Sequence, residues 1–310
     1  MMGYALRRLL AAIPTLWLLI TLAFFMIRIS PGGPFDSERA LPPEIEANLN
    51  ARYHLDEPLA MQYARYLGHV LQLDFGPSFH YRDWTVNELI GNGFPVSATL
   101  GLLAISLALL IGVSTGVYAA LRQNRWLDHA VMAMAMLGIS VPTFVVAPLL
   151  ILGFSLSLGW LPAGGWNWEP ARMIMPVITL ALPLVAYISR LTRASLIEVL
   201  HSNFIRTARA KGLSERQVIL RHALKPAALP VISFLGPAIA GVLTGSVVVE
   251  RIFTVPGLGS HFVQGALNRD YTVVLGVVVF YGMLIIVLNF IVDLIYAWLD
   301  PRIRYDRGWR

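Results

Sequence analysis

Residues Asn203–Pro230 read NFIRTARAKGLSERQVILRHALKPAALP, the most basic part of the chain, and apolar runs long enough to cross a bilayer flank them on both sides. The spacing predicts two short helices meeting at a corner. The first carries Phe204, Ile205 and Ala208 at helical spacing, with Arg206, Arg209 and Lys211 on its other faces. Gly212 stands where a helix C-terminus wants a residue free to take positive φ. Ser214 offers an N-cap oxygen, and Gln217 completes a capping box for a helix running to about Leu224. Pro226 can end that helix or sit in the first turn of the next. A folded, basic corner held between two membrane spans has the form of a docking surface.

Composition sets the same scene. The chain has 310 residues, 56% of them hydrophobic and only 14% charged, against about 25% charged in soluble domains. A mean hydropathy of +0.64 is too apolar for a water-soluble domain of this length. The net charge of +6 does not call for nucleic acid, because its distribution follows membrane topology. With no cysteine there is no disulfide framework and no thiolate metal site. The histidines are scattered, with no pair at i,i+3 or i,i+4, so neither a helical metal site nor a cofactor is expected.

Leu9–Ile27 runs uncharged behind Arg7 and Arg8. A secretory signal would have an apolar core of about 7–15 residues and a small-residue cleavage site, whereas Arg28-Ile29-Ser30-Pro31 follows here. A retained span is expected. Residues 35–93 are polar, include a helix-like piece at Pro58–Leu71, and form the one segment large enough for an extracytoplasmic subdomain. Five more spans are predicted at Val96–Ala120, Val131–Leu158, Ile174–Ile188, Ala227–Val249 and Val273–Leu299. Prolines 142, 148, 176, 183, 230 and 237 fall inside them, which membrane helices tolerate when neighbours re-satisfy the freed backbone groups. The expected fold is an all-α bundle of six transmembrane helices. Its parts are a first helix with flanks (1–34), the outer loop (35–93), and a five-helix core (94–310) holding the basic loop 190–226.

Basic residues orient the bundle. With the N-terminus inside, the inner segments hold Arg7, Arg8, Arg122, Arg125, eight residues in Arg190–Lys225 and four in the tail from Arg302. These 16 exceed the 8 left outside, so both termini and the 190–226 loop are predicted to be cytoplasmic.

Several look-alike motifs carry less. Ala208, Gly212 and Val218 have the spacing of a DNA-binding helix-turn-helix, but membrane lies too close on either side for a duplex. Gly112-Val113-Ser114-Thr115-Gly116 matches G-x-S-x-G, yet it lies inside a predicted span and not at a strand–turn–helix. Close helix contact at Gly112 and Gly116 is the expected reading, and the same holds for Gly241-x-x-x-Gly245. A phosphate-binding loop needs Gly-Lys followed by Ser or Thr, and neither Lys211 nor Lys225 satisfies it. No ATP site, and no enzyme activity of this chain alone, is expected.

Arg206-Thr207-Ala208-Arg209-Ala210-Lys211-Gly212-Leu213 resembles the "EAA" loop of ABC-importer permeases in the form used by the peptide-importer group. It departs from that loop in having Arg206-Thr207-Ala208 where Glu-Ala-Ala gives the motif its name, and His222 and Lys225 in place of a downstream Ile and Pro. The resemblance spans nearly the whole chain. It takes in Pro31-Gly32-Gly33-Pro34, Asp74-Phe75-Gly76-Pro77-Ser78-Phe79, Val255-Pro256-Gly257-Leu258-Gly259, Gly265–Tyr271 and Asp300–Tyr305. The oligopeptide members look closest, although dipeptide, glutathione and nickel importers share much of the pattern.

The resemblance implies an inner-membrane, multi-pass permease. Its implied partners are a second homologous permease, two cytoplasmic ATP-binding subunits, and an extracytoplasmic binding protein that delivers peptide. It also makes Phe204–Leu213 the coupling helix seated in an ATPase cleft, with Phe204 and Ile205 as an apolar knob between basic flanks. Thr244, Ser246, Glu250 and Asn289 are the polar positions expected along the substrate pathway. Two other classes stay open. An ion-coupled transporter would use an intramembrane charge such as Asp293, for which pairing near the interface is the plainer reading. A membrane-anchored enzyme would have to be built on residues 35–93.

Overall fold

The computed structural model describes residues 2–29, 48, 50–81 and 83–299. Pro31–Pro34, Asp300–Tyr305 and the boundary predicted at 34/35 lie outside the described residues. The first helix, α1 (Met2–Ile29), leans on the last, α11 (Tyr271–Leu299), with Leu19 packed where a Cβ on Gly282 would come within 3.1 Å. Between them stand α2 (Leu59–Leu71), α3 (Val86–Leu121), α4 (Trp126–Ser140), α5 (Thr143–Leu150), α6 (Pro170–Leu200), α7 (Asn203–Ala210), α8 (Leu229–Gly245), α9 (Val247–Ile252) and α10 (Leu258–Leu267).

Helix α3 starts on a capping box: the Glu88 N–H donates to Thr85 Oγ1, and the Thr85 N–H donates to Glu88 Oε2. It therefore begins inside the segment predicted as outer loop, and its inner part is closely packed on α6. A Cβ on Gly112 would meet Ile188 at 2.9 Å, and one on Gly116 would meet Thr192 at 2.6 Å. Close approach at small residues is how membrane helices gain packing where lipid is as apolar as the side chains. Gly241 does not behave so. A Cβ there meets nothing within 4 Å, which corrects the expectation of a contact at that glycine.

Among the described residues, five helices are long and apolar enough to span a membrane, or six if one bent pair counts as a span. That pair corrects the predicted third span: α4 and α5, with a π-helical continuation at Ile151–Ser157, meet at an angle of 100°. The break falls at Val141-Pro142, where proline removes a backbone donor and pushes its predecessor out of helical conformation. By contrast α6 runs unbroken through Pro176 and Pro183.

The described part of residues 35–93 packs on the bundle. Val70 and Phe75 are buried in one cluster with Ile20 of α1, Val86 of α3 and Val273 of α11. Tyr63 and Tyr66 pack on Phe24, and the Thr21 and Tyr63 hydroxyls lie 2.6 Å apart. A second cluster fills the bundle centre between α3, α6 and α8, and a third lies beneath the basic corner.

Candidate functional site

The corner is built as its sequence predicts, with one reversal. Helix α7 turns Ile205 and Ala208 inward, where they are buried with Val218, Ala223, Ala227, Leu196 and Ala120. Gly212 takes φ +78° and donates its N–H to Arg209 O at 2.9 Å, closing the helix end. The capping box of Ser214 and Gln217 is present. The helix it opens is α-helical for only one turn, widens to a π-turn over Val218–Ala223 and regains α geometry at Leu224–Ala227 around Pro226. Arg209 bridges the corner, its guanidinium reaching both carboxylate oxygens of Glu215 at 2.8 and 3.2 Å.

Ile205 is fully buried while Phe204 is 49% exposed. The predicted two-residue knob is therefore one residue, Phe204, standing on a base that Ile205 anchors. Around it Arg206, Thr207, Arg209, Ala210, Lys211 and Gly212 are exposed, and Leu213 is half-buried against the cluster below. Helix α7 offers Phe204 among cations, over a base shared with Ala120 of α3 and Leu196 of α6, and Leu220, 56% exposed, is a second apolar side chain on the corner's surface.

Of the four predicted pathway residues, only Ser246 and Glu250 come together. Thr244 donates its hydroxyl to Ala240 O on its own helix at 2.8 Å. Asn289 lines a cavity of about 230 Å³ between α1 and α11, beside Arg8 and Thr15. Ser246 and Glu250 are both fully buried. Glu250 Oε1 accepts from the hydroxyls of Ser97 (2.7 Å) and Ser246 (2.5 Å), and Oε2 accepts from the Ser260 N–H (2.9 Å). They tie helices together and do not line a passage in this conformation. A buried carboxylate is tolerable only when its oxygens are so occupied.

Asp293 pairs with Arg8 at 2.6 Å, bringing the start of α1 to the later part of α11. Two further acids were not singled out as site residues. Asp128 is fully buried and takes a two-pronged bond from Arg193, at 2.5 and 2.6 Å, plus the Asn124 N–H. Asp270 is also fully buried and accepts from the Ser78 hydroxyl, the Phe79, His80 and Val273 N–H groups and the Thr272 hydroxyl. It caps α11 and clamps the Asp74–Phe79 motif to it. The sequence signal for Asp270 was its place just before a long apolar run. For Asp128 it was an acid among arginines at a span end.

An all-helical, multi-span inner-membrane protein with a rigid, basic, inward-anchored corner is a transport subunit of the binding-protein-dependent class. The chain belongs to the family of binding-protein-dependent transport system inner membrane components, whose pattern matches residues 112–305. It is 57% identical to the oligopeptide transport system permease protein OppB of Salmonella typhimurium, over 98% of this chain and 100% of that one. It is 46% identical to the dipeptide transport system permease protein DppB of Bacillus subtilis, over 99% of each. Among solved structures, the inward-facing MetNI methionine ABC transporter superposes with a TM-score of 0.59 at 18% identity, over 68% of this chain and 96% of that one. That likeness concerns the fold. As such a component the chain works with separate ATPase and substrate-binding subunits.

Proposed function

We propose that this chain is the permease subunit of an ATP-driven oligopeptide importer and forms half of the translocation pathway beside a second, related permease. Two ATP-binding subunits dock from the cytoplasm and hydrolyse the ATP; an extracytoplasmic binding protein delivers the peptide. The higher identity to the oligopeptide permease than to the dipeptide permease supports the substrate class. The observation that carries the coupling role is Phe204, exposed on α7 while its neighbours Ile205 and Ala208 are buried beneath it. A buried base transmits force as a rigid body, and one exposed aromatic in a cationic ring is the anchor a cleft on a partner would hold.

The test is peptide uptake by the complete complex in proteoliposomes. Uptake of an oligopeptide should require ATP and loaded binding protein. Phe204→Ala should lower it about tenfold or more at unchanged membrane abundance, since an exposed side chain contributes little to folding but anchors an interface. Uptake driven by an ion gradient without ATP would overturn the reading.

A further inference from the structure

Glu250 lies in the first turn of α9, just after its joint with α8 at Ser246, and its bonds reach three segments. Ser97 belongs to α3, Ser246 to the joint itself and Ser260 to α10. The Ser97 hydroxyl has a second task, accepting the Leu258 N–H at 2.9 Å, so α3 is also tied directly to the start of α10. The turn entering α10 is shaped to the carboxylate: a Cβ on Gly257 would lie 2.5 and 2.6 Å from its two oxygens, and one on Gly259 would lie 3.0 Å from Oε2. Among the described residues no ion pair reaches this carboxylate, so neutral donors alone hold it.

The same α3 that carries Ser97 carries Ala120 in the cluster beneath α7. Those two positions are about 35 Å apart along the helix at 1.5 Å per residue. Between them no proline interrupts the helix, and Gly112 and Gly116 hold it against α6.

We propose that Glu250 is a positioning residue for transport. It welds the outer ends of α3, α9 and α10 into one rigid unit, so that displacement entering at the corner travels along α3 and moves the mouth of the pathway as a block. The inference rests on the function proposed above.

Glu250→Gln is the decisive variant, because it keeps the size of the side chain and changes one donor–acceptor relation. The amide oxygen can still accept from Ser97 and Ser246, but its NH2 faces the Ser260 N–H, donor against donor. The chain has no native cysteine, so Val255→Cys, at a site 1% exposed beside this joint, reports loosening through its reaction with N-ethylmaleimide in unsealed membranes. In the parent that cysteine should be protected; with Glu250→Gln it should react about tenfold faster, the factor expected for losing one charge-assisted bond. In the reconstituted complex Glu250→Gln should lower peptide uptake per complex by about the same factor. The ratio of binding-protein-stimulated to basal ATP hydrolysis should fall toward one, which a mere loss of folded protein would not do. Should Glu250→Gln fail to accumulate, Ser97→Ala carries the same test, since it removes one donor to the carboxylate and the acceptor of the Leu258 N–H. Unchanged protection of Val255→Cys, or parental uptake at equal abundance, overturns the proposal. A parent complex that takes up no peptide would count against the proposed function instead, and the thiol readout, which needs no transport, would still decide the weld.

Discussion

Gly212 holds the corner at φ +78°, and a Cβ placed there would meet nothing within 4 Å. Any penalty for a side chain is therefore conformational and not a clash. A β-branched residue in the left-handed region costs about 1–2 kcal/mol, whereas asparagine tolerates it. Gly212→Val should leave membrane abundance nearly unchanged and lower peptide uptake severalfold by tilting α7 against the helix after it; Gly212→Asn should be close to silent. Immunoblots and uptake at matched abundance check this, and equal uptake by both variants would remove the corner from the coupling path. The glycine and the capping box were legible because both depend on residues a few positions apart. Which of Phe204 and Ile205 faces outward was not, since adjacent residues share the same local pattern and only the base beneath α7 distinguishes them.

Between elements, the bond of α6 to the start of α4 rests on Arg193 and Asp128, whose side chains are 24% and 0% exposed. That asymmetry decides the mutants. Removing Arg193 strands a buried carboxylate, and breaking a buried pair in that way costs about 3–5 kcal/mol. Removing the charge of Asp128 leaves a guanidinium that can still reach water along its apolar stem. Arg193→Ala should therefore lower the thermal unfolding midpoint in detergent more than Asp128→Asn does. The reverse order would mean that the Asn124 N–H suffices to hold the buried carboxylate without Arg193. The break between α4 and α5 shows the limit of reading apolar runs. Hydropathy over 131–158 measures affinity for lipid and is blind to direction, so a helix bent by 100° scores like a straight one.

For the whole molecule the bend has a topological consequence. If α4 and α5 together cross the membrane, the corner lies on the same side as the N-terminus; if they turn back, it lies on the opposite side. The eight basic residues of Arg190–Lys225 favour the crossing. In this cysteine-free chain, Gln72→Cys should react with a membrane-impermeant thiol reagent in intact cells, and Asn203→Cys only after lysis. External labelling of Asn203→Cys would mean that the bent pair turns back.

The order of the apolar segments, the basic corner with its glycine and cap, and the absence of a phosphate-binding loop were determined by the sequence alone, because each follows from composition or from residues close together in the chain. The sites of the buried acids were not. Ser97 and Glu250 are 153 positions apart and Ser78 and Asp270 are 192, and no local pattern reports a bond across such a distance. Reading Ser246 and Glu250 as pathway residues was reasonable for polar groups in an apolar span. Tertiary packing made them a joint, because a carboxylate deep among helices is stable only where hydroxyl and N–H groups from other segments converge on it.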